Sequence, residues 1–106
     1  MWYIYKWKVI IYGDNDSGDI TTNGNITIYG DNESFDITTE GDIMIYGNNI
    51  SEKIETKGNV IIYGDFLAGE ILANTVTVEG NVGKDSSIKA KTWTVKGKMN
   101  IAPKLK

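Results

Sequence analysis

The chain has 106 residues, the size of one domain, with 41 % apolar residues and neither cysteine nor histidine. Those two absences exclude a disulfide framework, a thiolate site, an imidazole base and the commonest zinc ligands. The net charge of −3 is unevenly spread: residues 9–75 carry twelve carboxylates against Lys53 and Lys57, while 76–106 carry seven lysines against Glu79 and Asp85. The molecule therefore has an acidic body and a basic end.

Met1–Lys8 is rich in aromatic residues (Trp2, Tyr3, Tyr5, Trp7) and stands outside the pattern that follows. It lacks the long apolar run and cleavage site of a signal peptide, so an aromatic cap over the first turn of the fold is expected there. From Val9 onward a 17-residue phrase repeats, clearest at 26–42: I-T-I-Y-G-D-N-E-S-F-D-I-T-T-E-G-D. Copies begin at Val9 and Ile43, a copy one residue shorter at Val60, a weaker one at Val76, and a partial one at Trp93. Tandem copies at constant period mark a repeat architecture.

Each copy opens on an alternating strand whose first and third positions point inward: Val9/Ile11, Ile26/Ile28, Ile43/Ile45, Val60/Ile62, Val76/Val78 and Trp93/Val95. A second strand adds an inward column at Ile20, Ile37, Ile54, Ile71 and Ile88. Gly13, Gly30, Gly47, Gly64, Gly80 and Gly97 fall at the corner between them, where a positive φ is expected. Ser17, Ser34, Ser51 and Ala68 form a column of small residues at the tight bend. The fold expected is all-β: a right-handed parallel β-helix (β-solenoid) of five to six coils in a single domain, 1–106. Residues 1–8 form its cap, 9–92 its coils and 93–106 a basic partial coil. A left-handed hexapeptide solenoid needs a six-residue phrase, and none is present. The lysines and Pro103 at the rear suit an edge protected against further pairing, so a monomer or closed homodimer is expected.

Outward positions of the first strand bring Ile10, Thr27, Met44 and Ile61 beside Tyr12, Tyr29, Tyr46 and Tyr63, an exposed aromatic row suited to a protein partner. Next to it, at the glycine corner, run Asp14, Asp31, Asn48 and Asp65, with Glu33 and Asp36 widening the acidic field. Asx residues are turn formers, yet like charges one rung apart repel by about 1 kcal/mol in water, and asparagine would serve the turn without that cost. These ten residues are the candidate partner-binding set, and the partner they fit is a protein with a basic, nucleic-acid-handling surface. Direct nucleic-acid binding is not expected, because the basic end lacks a stripe of interleaved lysine and aromatic residues.

Other patterns carry less. Asp14–Asp16 and Asp31–Glu33 lack the full ligand set of a calcium loop, so no metal or cofactor is expected. The column Thr22, Thr39, Thr56 is too short and too charged in its surroundings for an ice-binding array. Carboxylate pairs can be drawn almost anywhere on so acidic a surface, so none marks an enzyme.

The phrase V-T-V-E-G-N-V-G-K with I-K-A-K-T-W-T-V-K-G-K-M-N-I resembles bactofilins, which implies a right-handed β-helix that self-associates as a cytoskeletal protein. In size, acidic coils and repeat style the chain also resembles small β-helical phage anti-CRISPR proteins. That likeness implies an inhibitor that occupies the DNA-reading (PAM-binding) surface of a type II CRISPR nuclease in the bacterial cytoplasm, its carboxylates standing in for phosphates.

Overall fold

The structure, a computed structural model, describes residues 2–5, 8–16, 18–98 and 104–105, with side chains for 8–16 and 18–98. Twelve strands follow in chain order: β1 (Trp2–Tyr5), β2 (Val9–Ile11), β3 (Asn15–Asp16), β4 (Asp19–Thr22), β5 (Ile26–Ile28), β6 (Asn32–Thr39), β7 (Ile43–Ile45), β8 (Asn49–Thr56), β9 (Asn59–Ile62), β10 (Phe66–Val78), β11 (Val82–Val95) and β12 (Lys104–Leu105). Every pairing between them is parallel. The stack is a β-solenoid of about five turns with a period near 17 residues, as the repeat demands.

Burial alternation shows three sides per coil. In the second coil Ile26 and Ile28 point inward on the first side, Asn32 and Ser34 on the second, and Ile37 and Thr39 on the third. Two successive exposed residues, Phe35 and Asp36, break the alternation inside β6 and mark the bend between the second and third sides. The same places recur one coil away: Ile26 pairs with Ile43, Asn32 with Asn49 and Ile37 with Ile54. Identical side chains stacked in this way fill the interior column by column, and the isoleucine columns are almost wholly buried. Ile11, Trp93 and Val95, at the two ends of the stack, are partly buried against that core.

The shorter fourth coil loses its residue at the second corner. Glu55 pairs with Leu72 but Asn59 with Thr75, so Asn74 alone spans what Lys57 and Gly58 span below it. The corner tightens, and β10 runs through it as one 13-residue strand. The residue is regained between Val82 and Asp85, where the pairing of β10 with β11 shifts.

Four sequence expectations change. Among the described residues, Gly69 alone has a positive φ (125°), so left-handed backbone is not what the corner glycines supply. Close approach is: a Cβ on Gly47 would lie 2.7 Å from the Gly30 carbonyl carbon and oxygen, whereas one on Gly13, at the front of the stack, would meet nothing within 4 Å. In the small-residue column the fourth place belongs to Gly69, opposite Ser86, and not to Ala68; Ser17 lies outside the described residues. Thr22, Thr39 and Thr56 face inward, with Thr39 Oγ1 donating to the Gly24 carbonyl at 2.5 Å and accepting from the Gly41 amide at 3.1 Å. Finally, Trp2–Tyr5, expected to fold over the first coil, lies edge to edge against β4 in the same 17-residue offset (Tyr3 opposite Ile20).

At the rear, β12 pairs with β11 through Lys89–Lys104 and Ala90–Leu105. Among the described residues, the third side thus carries seven strands (β1, β4, β6, β8, β10, β11, β12) and the first side six (β2, β5, β7, β9, β10, β11).

Candidate partner-binding surface

Each tyrosine follows the last inward residue of a first-side strand, so the backbone leaves the sheet as the ring turns outward. The Tyr29 amide is held by the Ile11 carbonyl of the coil before it (2.9 Å), and Tyr46 and Tyr63 repeat the bond to Ile28 and Ile45. With backbones pinned one rung apart, the rings stack in parallel: centroids lie 5.3 Å apart for Tyr12–Tyr29 and 4.9 Å for Tyr29–Tyr46 and Tyr46–Tyr63, with planes within 6°. Tyr12, at the end of the row, is 80 % exposed and the other three 41–47 %. The column continues as Glu79 and Lys96, joined by an ion pair at 3.2 Å.

The corner column has a structural duty. Asp14 Oδ1 accepts the Asp31 amide (2.9 Å), Asp31 Oδ1 the Asn48 amide, Asn48 Oδ1 the Asp65 amide, Asp65 Oδ1 the Asn81 amide and Asn81 Oδ1 the Lys98 amide (each 2.8 Å). Satisfying amides at a corner is what Asx side chains do well. Asn48 and Asn81 make the same bond as the aspartates, so the negative charge at Asp14, Asp31 and Asp65 is surplus to the turn.

Glu33 and Asp36 belong to the same field. Asp16 pairs with Glu33 on the second side, and Asp19 Oδ1 accepts the Asp36 amide at the next corner (3.1 Å). Six carboxylates (Asp14, Asp16, Asp19, Asp31, Glu33, Asp36) therefore ring the second side of the two front coils. Among the described residues the ion pairs use Glu40, Glu55, Glu70 and Glu79, and none of these six. No group of three or more acids among the described residues is arranged to hold a metal ion.

Nine of the ten predicted residues thus lie on the two sides that meet at the Gly-Asx corner, and Asp36 stands at the bend between the second and third sides. The sequence reading found Ile10 beside them but missed the apolar residues of the second side. Among the described residues the exposed large hydrophobics are Ile10, the four tyrosines, Phe35, Ile50 and Leu67. Ile50 sits on the second side in the column begun by Asp16 and Glu33, Leu67 lies beside it at a bulge where Ala68 is the residue opposite Ile50, and Phe35 stands at the far margin of that side. The 17-residue register was the available signal, since it carries Glu33 to Ile50 and on to Leu67. The third side is mostly polar, presenting Thr21, Thr38, Glu55, Leu72 and Lys89 in one column. A surface hollow lined by Glu55, Lys57, Leu72, Asn74 and Lys91 opens at its edge, away from the tyrosines.

Fold and surface together define a class: a short parallel β-solenoid with an aromatic row beside an acidic corner. Comparison of the chain with protein-family models, curated proteins and solved structures gives no match. Among the described residues no helix is long and apolar enough to cross a membrane.

Proposed function

We propose that this protein is a non-enzymatic binding module that inserts its Gly-Asx edge into a basic groove of a nucleic-acid-handling protein. One observation carries the reading: Asp14, Asp31 and Asp65 keep a charge that the corner does not need, without an ion pair among the described residues, along a row of exposed tyrosines. Electrostatic self-repulsion of this kind persists at a cost, and a cationic partner relieves it. The tyrosines supply contact area that a groove can desolvate, and Ile50 and Leu67 extend it around the edge. The partner implied by the resemblance is a type II CRISPR nuclease in the cytoplasm of a bacterial host, its PAM-reading surface occupied by carboxylates in place of phosphates.

Competition tests it. The protein should prevent a guide-loaded type II CRISPR nuclease from binding a target duplex, and the block should weaken as salt rises. The triple variant Asp14→Asn, Asp31→Asn, Asp65→Asn keeps every corner acceptor and should compete poorly; if it competes as well as the parent, the acidic edge is not the contact. Charge reversal to lysine is the poorer probe, because it also removes acceptors for three backbone amides.

The alternative is a bactofilin-like structural protein, and one observation favours it: β1 and β12 carry the stack in parallel pairing to both ends. Joining β12 of one copy to β1 of the next would, however, leave the described first-side strands two rungs apart, because among the described residues the third side has one strand more. Long filaments in electron micrographs would favour this alternative over the inhibitor.

A further inference from the structure

We propose that a second copy of this chain packs antiparallel on the first side, giving a closed two-fold dimer. The columns of that side read as self-complementary when reversed. A two-fold axis across the rod, between the third and fourth rungs, overlaps all six rungs and sets the first rung against the sixth, the second against the fifth and the third against the fourth.

The corner column runs Asp14, Asp31, Asn48, Asp65, Asn81, Lys98. Reversed on itself, it sets Asp14 against Lys98, Asp31 against Asn81 and Asn48 against Asp65, and no carboxylate meets a carboxylate. The tyrosine column sets Tyr46 against Tyr63 at the centre, Tyr29 against Glu79, and Tyr12 against Lys96. The next column, Ile10, Thr27, Met44, Ile61, Thr77, Thr94, sets Met44 against Ile61. The outermost, from Lys8 through Asp42 to Thr92, sets Asp42 against Asn59 and Lys8 against Thr92. The centre is apolar and the rim polar, the order that specific interfaces show.

Charge along the rod selects the antiparallel arrangement. Parallel copies would bring acidic body beside acidic body and the lysines of one rear end beside those of the other, whereas antiparallel copies bring Asp14 to Lys98 at both ends. Six rungs at ~4.8 Å and a width near the rod's own cover roughly 600 Å² per copy, below the ~800 Å² of a standard interface. The dimer is accordingly weak, concentration-dependent and salt-sensitive. It covers the same tyrosines that the proposed partner takes, so dimer and complex exclude each other. The inference does not rest on that partner, since self-association is measured without one.

Sedimentation equilibrium from low micromolar to millimolar protein should show a monomer–dimer equilibrium with nothing larger. A zero-length carbodiimide cross-linker should then join Asp14 to Lys98. Within one rod these two lie five rungs apart, roughly 24 Å, so that link forms only between copies. Met44→Asp, on the outer face, should raise the dissociation constant at least tenfold and leave the melting temperature unchanged. A monomer at every concentration, assemblies beyond the dimer, a dimer without the Asp14–Lys98 link, or a dimer indifferent to Met44→Asp would each overturn the proposal.

Discussion

Replacing Asn32 with valine isolates what holds the coils in register. Asn32 is 1 % exposed. Its Oδ1 accepts from Asn15 Nδ2 at 2.8 Å, and its Nδ2 donates to Asn49 Oδ1 at 2.7 Å and to Ser34 Oγ at 3.2 Å. Valine leaves the Asn15 donor and the Asn49 acceptor facing an apolar side chain, and each orphaned buried group costs about 1–3 kcal/mol. Against that, burying valine in place of an amide returns about 1 kcal/mol. The expected net loss is about 1–5 kcal/mol. Shape is not the cause, because Phe66 and Val82 occupy the same column in the fourth and fifth coils and are fully buried. The triple variant Asn15→Val, Asn32→Val, Asn49→Val removes donors and acceptors together, so it should cost no more than the single change. Urea unfolding of the two variants decides the matter. A neutral single change, or a triple that loses about three times as much as the single one, would refute the ladder as a hydrogen-bonded unit.

Gly47→Ala should destabilise by more than ~1 kcal/mol in thermal melts, through overlap with Gly30, while Gly13→Ala, with open space around it, should be neutral. Gly69→Ala should be worse than either, since it adds a positive φ to a collision with the Ser51 carbonyl. Asp31→Ala should cost ~1 kcal/mol by orphaning the Asn48 amide, and Asp31→Asn should melt at or slightly above the parent; the reverse order would mean that the charge itself stabilises the corner. In the nuclease competition assay, Tyr29→Ala and Tyr46→Ala should each lower affinity at least fivefold with little change in salt dependence, since they remove contact area and not charge.

The repeat by itself determined the architecture, the inward isoleucine columns and the exposed tyrosine row, because all three depend only on alternation within a short strand and on a 17-residue period. It also placed Asp14, Asp31, Asn48 and Asp65 in one line. It did not determine which polar residues go inside. N-D-S and N-E-S read as a solvated bend, and nothing within one coil offers Asn32 a partner for its amide. Only the stack does, by bringing Asn15 and Asn49 to either side of it from 17 residues away. Thr39 turns inward for the same reason, its acceptor being the Gly24 carbonyl of the preceding coil. The glycines show the converse: their positions are legible, but their cause is the neighbouring coil's backbone and not their own φ. Whatever a side chain owes to its own strand can be read from the sequence, and whatever it owes to the next rung had to wait for the rungs to be stacked.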